Sequence, residues 1–173
     1  MSARGNAVRT DRPHGRKPRG FSTTETMAVV AIAGVLLAVG APAMADFLAT
    51  QRVKSAAMDL RSSLMLARSE AIKRNTNVSL TAIGGSLANG WEVKIGSTVL
   101  QSASNADAVG VSGSSVTSIA FNREGRLATP GRVTLLLSAS SNPQVIPRCV
   151  VIDLNGRPTV QLDNNRDGNC ANG

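Results

Sequence analysis

A single histidine, His14, is all that the 173 residues offer for proton transfer by imidazole. It lies in the first twenty residues, so no Ser-His-Asp, Cys-His or histidine-rich metal constellation can be assembled. The sequence therefore predicts no enzyme, and in particular no hydrolase. Tyrosine is absent, and three Phe and one Trp are the whole aromatic content. A core must then be mostly aliphatic, with Trp91 as its expected anchor. The same scarcity removes the interleaved aromatic platform on which single-stranded nucleic acid stacks.

Charge is missing from a long stretch as well. Residues 27–45 contain no Asp, Glu, Lys or Arg. As a helix rising 1.5 Å per residue they would span about 28 Å, enough to cross the hydrocarbon core of a bilayer. Glu25 stands at the threshold of this run, where a carboxylate is costly in lipid unless it finds a partner.

The net charge of +8 is unevenly placed. Residues 1–20 hold Arg4, Arg9, Arg12, Arg16, Lys17 and Arg19 against Asp11, a net of +5, which leaves +3 for the other 153 residues. The basic character thus belongs mainly to a leader, rich in Arg and Pro and without apolar periodicity, for which disorder is expected. Beside a membrane span such a leader stays cytoplasmic.

Residues 1–45 admit three readings. One is an ordinary signal peptide with Ala43-Met44-Ala45 as an A-x-A cleavage site. Another is a plain membrane anchor. The third is a leader cut before the apolar run, with the run retained. Nineteen residues is long for the apolar region of a signal peptide, which spans about 7–15. Beyond Asp46, moreover, Val53, Ala57, Leu60, Leu64, Ala67 and Ala71 recur at spacings of four and three, the mark of one apolar helix face. Arg52, Ser55, Asp59, Ser62, Ser69 and Lys73 fall largely on the other side, and Glu70 and Arg74 stand one helical step apart. Pro42 is the only breaker nearby and is expected to kink the helix without ending it. One helix is predicted from about Ser22 to a stop at Asn75-Thr76-Asn77, and a cut after Ala45 would waste that continuity.

These residues resemble a known family. Gly20-Phe21, Glu25 as the fifth residue after the glycine, the apolar run and Pro42 are similar to the amino terminus of type IV pilins and pseudopilins. Asp46-Phe47-Leu48-Ala49, Leu66-Ala67-Arg68-Ser69-Glu70-Ala71-Ile72-Lys73-Arg74-Asn75 and Gly90-Trp91-Glu92-Val93 resemble the GspH/FimT branch. So do Ile119-Ala120-Phe121-Asn122 and Gly125-Arg126. Thr23-Thr24 departs from the Leu-Ile or Leu-Val usual in the family before the glutamate.

The resemblance implies that a prepilin peptidase cuts after Gly20 and methylates the amino terminus of Phe21. Glycine suits the cut because a bare backbone lies easily in a protease groove. It also implies that Glu25 pairs with the amino terminus of a neighbouring subunit, an attraction strengthened by low dielectric. A helix-start carboxylate favoured by the dipole is the plainer reading of Glu25. The expected organisation is a removed leader (1–20), a membrane and assembly helix (21–45), its amphipathic continuation (46–75) and an extracytoplasmic β domain (76–173). The expected location is the inner membrane, crossed once with the amino terminus cytoplasmic, and then the filament.

After Asn75 the pattern turns to short, β-branched segments at 78–82, 91–95, 116–121, 132–139, 148–154 and 159–162, punctuated by Gly, Ser, Asn and Pro. Loops are expected at 84–89 and 102–115. Six strands behind one helix predict an α+β fold, with the helix packed on an antiparallel sheet or small β-sandwich. Outside the cytoplasm Cys149 and Cys170 are expected to pair, closing a loop of about twenty residues worth roughly 3 kcal/mol.

Two ligand readings remain. Asp163, Asn165, Asp167 and Gly168 fit the opening of a calcium loop, but the glutamate expected six residues after the glycine is missing and a plain turn uses the same residues. No cofactor is otherwise expected. Some FimT-like minor pilins bind DNA through a Gly-Arg-x-Arg motif, and this chain has Gly156-Arg157-Pro158-Thr159 there, with threonine in place of the second arginine and Arg123, Arg126, Arg132, Arg148 and Arg166 as further candidate phosphate contacts. The leading expectation is a minor pilin or pseudopilin that assembles with other pilins, primes or caps a filament and serves type II secretion or a type IV pilus. DNA uptake, or a Sec-exported soluble domain cut after Ala45, are the alternatives.

Overall fold

A computed structural model describes residues 20–105, 109–114, 116–168 and 170. The basic leader with His14 lies outside the described residues, as do positions 106–108 and 115 of the expected 102–115 loop.

A single helix, α1 (Thr23–Arg74), runs for 52 residues and is the one described helix long and apolar enough to cross a membrane. It continues through Pro42 and across Ala45 without a break. The chain divides into two compact units after Gly40. In the first, from residue 20 onward, every residue is exposed, including Val30, Val35, Leu36 and Leu37. In the second, the predicted stripe of Val53, Ala57, Leu60, Leu64, Ala67 and Ala71 is wholly buried. Fully burying one leucine of that stripe contributes about 1.5–3 kcal/mol.

The helix ends where Asn75-Thr76-Asn77 predicts. Asn75 adopts a left-handed conformation at φ 51°. Its N–H donates to the Ile72 carbonyl at 3.3 Å, while the Thr76 N–H reaches the Ala71 carbonyl at 3.2 Å. These are the two bonds of a Schellman stop, which satisfy carbonyls the helix leaves over. Just before it, the Arg74 guanidinium beside Glu70 holds that carboxyl below the usual carboxylate range, with Lys73 adding to the effect.

Among the described residues eight strands follow: β1 (Val78–Ala82), β2 (Trp91–Ile95), β3 (Thr98–Ala103), β4 (Val109–Gly113), β5 (Ser118–Phe121), β6 (Val133–Ala139), β7 (Arg148–Ile152) and β8 (Pro158–Leu162). They form two four-stranded antiparallel sheets, ordered β3-β2-β1-β5 and β4-β6-β7-β8. Alternation along β1 buries Val78, Leu80 and Ala82, as the two-residue period of a half-buried strand requires. Side chains from the helix stripe and from both sheets, Trp91 and Phe121 among them, meet in one core.

Strand β7 breaks the alternation, with Cys149 to Ile152 all buried. Val150 and Ile152 join the main core, whereas Cys149 and Val151 form a second cluster with Cys170 and Leu136. The Cys149–Cys170 disulfide holds the tail over this outer face. The strand is apolar on both sides because both sides are covered.

Two strands correct the sequence expectation. The segment 98–103 is β3, and the expected 102–115 loop contains β4. Strand β3 shows little apolar alternation because none of its residues is fully buried at the sheet edge. The remaining strands lie within two residues of their expected bounds, and 84–89 holds two single turns of 3-10 helix.

Candidate functional site

Two regions carry the residues singled out by sequence. At the amino end, Ser22 stands just before α1 and its carbonyl accepts the Thr26 N–H at 3.0 Å. Glu25 is the third helical residue, the position at which a carboxylate meets the positive end of the helix dipole. Its side chain is exposed and forms no hydrogen bond or ion pair among the described residues. Gly20 and Phe21 precede the helix, both exposed. Beyond Glu25 the helix surface is apolar and uncovered to Gly40. Pro42 lies inside the helix.

The second region consists of two turns built alike. In Asn122-Arg123-Glu124-Gly125-Arg126 the Gly125 N–H donates to the Asn122 carbonyl at 2.8 Å, and the Asn122 N–H to the Arg126 carbonyl at 2.9 Å. In Asp153-Leu154-Asn155-Gly156-Arg157 the corresponding distances are 2.7 and 3.4 Å. Both glycines adopt φ 72°, a left-handed value that closes a three-residue loop with a bulge. The turns touch through their backbones, since a Cβ built on Gly156 would stand 2.2 Å from the Gly125 carbonyl oxygen. Helix α1 ties to both elements: Arg68 donates to the Gly125 carbonyl at 3.0 Å and Arg61 to the Pro158 carbonyl at 3.4 Å.

This arrangement sets the backbone of Arg126 against Gly156, the residue before Arg157, and both arginines are exposed. Neither forms an ion pair among the described residues. Arg123 pairs with Glu124 at 3.3 Å and Arg132 with Asp153 at 3.8 Å. Arg166 instead donates to the Gln144 carbonyl at 2.7 Å, and Arg148 is half-buried in β7.

In the tail, Asp163 is buried and its Oδ2 accepts the Gly168 N–H at 3.1 Å. Asn165 donates to Asp167 at 2.9 Å. Among the described residues no group of three or more His, Cys, Asp or Glu is placed to hold a metal ion.

Sequence reasoning missed the pairing of the two Gly-Arg turns. The signal was the repeated pattern Asn/Asp-x-x-Gly-Arg at 122–126 and 153–157, with a strand running into each turn. Their mutual contact depends on the path of both sheets.

A comparison with curated protein sequences finds no match. Among solved structures, the type IV minor pilin FimU of Pseudomonas aeruginosa superposes with a TM-score of 0.58 at 21% identity, covering 68% of this chain and 92% of that one. A second crystal form of FimU gives 0.54 at 21% identity, covering 64% and 91%. The minor pseudopilin EpsH of the Vibrio cholerae type 2 secretion system gives 0.48 at 12% identity, covering 64% and 95%. The model of the type II transport protein GspH matches residues 56–156. That match takes in α1 from Ala56 onward, seven of the eight described strands, the first Gly-Arg turn and the second as far as Gly156, so the chain is a member of the GspH family with a type IV pilin-like fold.

Proposed function

We propose that this chain is a minor subunit of a type II secretion pseudopilus or a type IV pilus. It is cut after Gly20 by a prepilin peptidase, methylated at Phe21 and incorporated at the priming or tip position. Before assembly it crosses the inner membrane once, with the β domain outside the cytoplasm. The observation that carries this reading is the Glu25 carboxylate, without a partner among the described residues, at the start of an uncovered apolar helix. Family membership and the fold supply its context. Cleavage after Ala45 would sever α1 in mid-course, which speaks against an ordinary exported domain. Intact mass of the mature protein is expected to correspond to a chain beginning at methylated Phe21. A chain beginning at Asp46 would end the proposal.

The paired Gly-Arg turns support a second reading, in which Arg126 and Arg157 contact DNA phosphates. Two adjacent cations predict a weak, non-specific contact that decays with salt. Double replacement by Ser is expected to remove DNA binding by the full chain at low salt and to flatten its salt dependence. Unchanged binding would rule out these turns as the contact.

A further inference from the structure

The chain leaves β8 at Leu162 and runs through Asp163-Asn164-Asn165-Arg166-Asp167-Gly168 toward Cys170, whose disulfide to Cys149 ties it back to β7. This short loop is therefore anchored at both ends. Inside it, the Asp163 N–H donates to the Pro147 carbonyl at 3.1 Å and the Arg166 N–H to the Asp163 carbonyl at 3.3 Å. Gly168, at φ 72°, turns the chain back so that its N–H meets Asp163 Oδ2 at 3.1 Å. That bond swings the Asp163 carboxyl across the loop, toward the residues that follow it.

Asp163 is 0% exposed, and its second oxygen, Oδ1, has no hydrogen-bond partner among the described residues. Nor does Asp163 form an ion pair among them. Arg166, the one cation of the loop, donates instead to the Gln144 carbonyl at 2.7 Å. A buried carboxylate with an open oxygen and no counter-charge is costly, and a cation that meets it removes the cost. Asn165 turns its Nδ2 to Asp167 Oδ2 at 2.9 Å, which keeps its own Oδ1 as an oxygen ligand. Oxygen-bearing side chains thus stand at the alternate positions 163, 165 and 167, with glycine next, the spacing of a calcium loop. Calcium lies about 2.3–2.6 Å from its oxygens, nearer than the roughly 2.8 Å of a hydrogen bond from water. A space that fits the ion therefore admits no water, as the full burial of Asp163 Oδ1 requires.

We infer that Asp163, Asn165 and Asp167 bind a calcium ion. Two carboxylates and one carboxamide form a sparse ligand set, and the sequence up to Gly173 supplies no bidentate glutamate after Gly168. Water completes the shell of about six to eight oxygens that calcium takes. So incomplete a protein shell places the affinity on the order of 0.1–1 mM, the class of extracellular modules. Magnesium demands a near-octahedral shell and gives up its water reluctantly, so it fits less well. The inference is independent of the filament reading, because it rests on the tail alone.

The test uses the full chain in detergent micelles, stripped of metal by a chelator that is then dialysed away. Calcium chloride and, in parallel, magnesium chloride are titrated to about 10 mM, well above the affinity expected for calcium. The Gly168 amide resonance reads the loop, and the melting temperature reads the domain. Calcium is expected to shift that resonance saturably, with its midpoint at about 0.1–1 mM, and to raise the melting temperature by about 3 °C or more. Magnesium is expected to need about tenfold more. Asp167→Asn is expected to weaken calcium about tenfold and Asp163→Asn to abolish its effect, whereas Asn164→Ala, at an exposed position between ligands, keeps it. A flat calcium titration of the unaltered chain (the result if Asp163 serves the turn alone), equal responses to the two ions, or a calcium response that survives in both aspartate variants would overturn the inference.

Discussion

Replacing Glu25 with valine is expected to leave removal of the leader intact and to reduce incorporation into filaments about tenfold or more. In the proposed processing the cut falls five residues upstream, at Gly20, so a peptidase need not read the glutamate. In the proposed assembly, by contrast, the amino terminus of each neighbour would lie inside a bundle of apolar helices with a positive charge that needs a counter-charge. Removing one member of such a pair leaves the other buried and uncompensated, a loss of about 3–5 kcal/mol. Only about 1.4 kcal/mol is needed for a tenfold change in an equilibrium. Glu25→Gln separates charge from shape, because it keeps the length and hydrogen-bonding capacity while losing the anion. Both variants should therefore accumulate as processed protein in the membrane fraction and be depleted from sheared filaments. Normal filament content in both would show that Glu25 is a helix-start residue and nothing more.

The second large effect concerns folding. Gly156→Ala is expected to destabilise the β domain by about 2–4 kcal/mol, which lowers the melting temperature by roughly 10 °C for a chain of this size. Two costs combine. The residue sits at φ 72°, where a side chain is strained, and its new Cβ would collide with the Gly125 carbonyl oxygen. Gly131→Ala provides the control. Gly131 has φ 82° but nothing within 4 Å of its Cβ position, so that variant reads backbone strain alone. Thermal melts of the two variants should differ clearly. If Gly156→Ala loses no more than Gly131→Ala, the two Gly-Arg turns are not held in contact.

Much of the architecture was legible because local chemistry and global packing agree over most of the chain. The stripe from Val53 to Ala71 announces a helix face, and every member of it is buried. The bounds of β1 and β2 follow from β-branched and aromatic residues flanked by turn formers. The missed strand β3 had a readable signal. Gly96-Ser97 is a two-residue hairpin turn joining paired Ile95 and Thr98, with glycine at the position that takes a positive φ. Its residues pack too little to show a period, and the turn was the better guide. Strand β4 hid for a related reason, since Gly110 and Gly113 dilute its apolar pattern.

By itself, the sequence determined the uncharged run, the amphipathic continuation, the helix stop at Asn75 and the α+β class, because each depends on the spacing of residues near one another. Glu25 belongs with these as a position, a lone carboxylate before an apolar helix. Tertiary structure alone decided that the strands divide into two sheets, that β7 is covered on both faces and that the two matched Gly-Arg turns touch through Gly125 and Gly156. It also decided that Trp91 and Asn105 line one cavity. Such contacts join residues distant in sequence. Their geometry follows from how sheets and helix pack, and no local pattern of side chains records it.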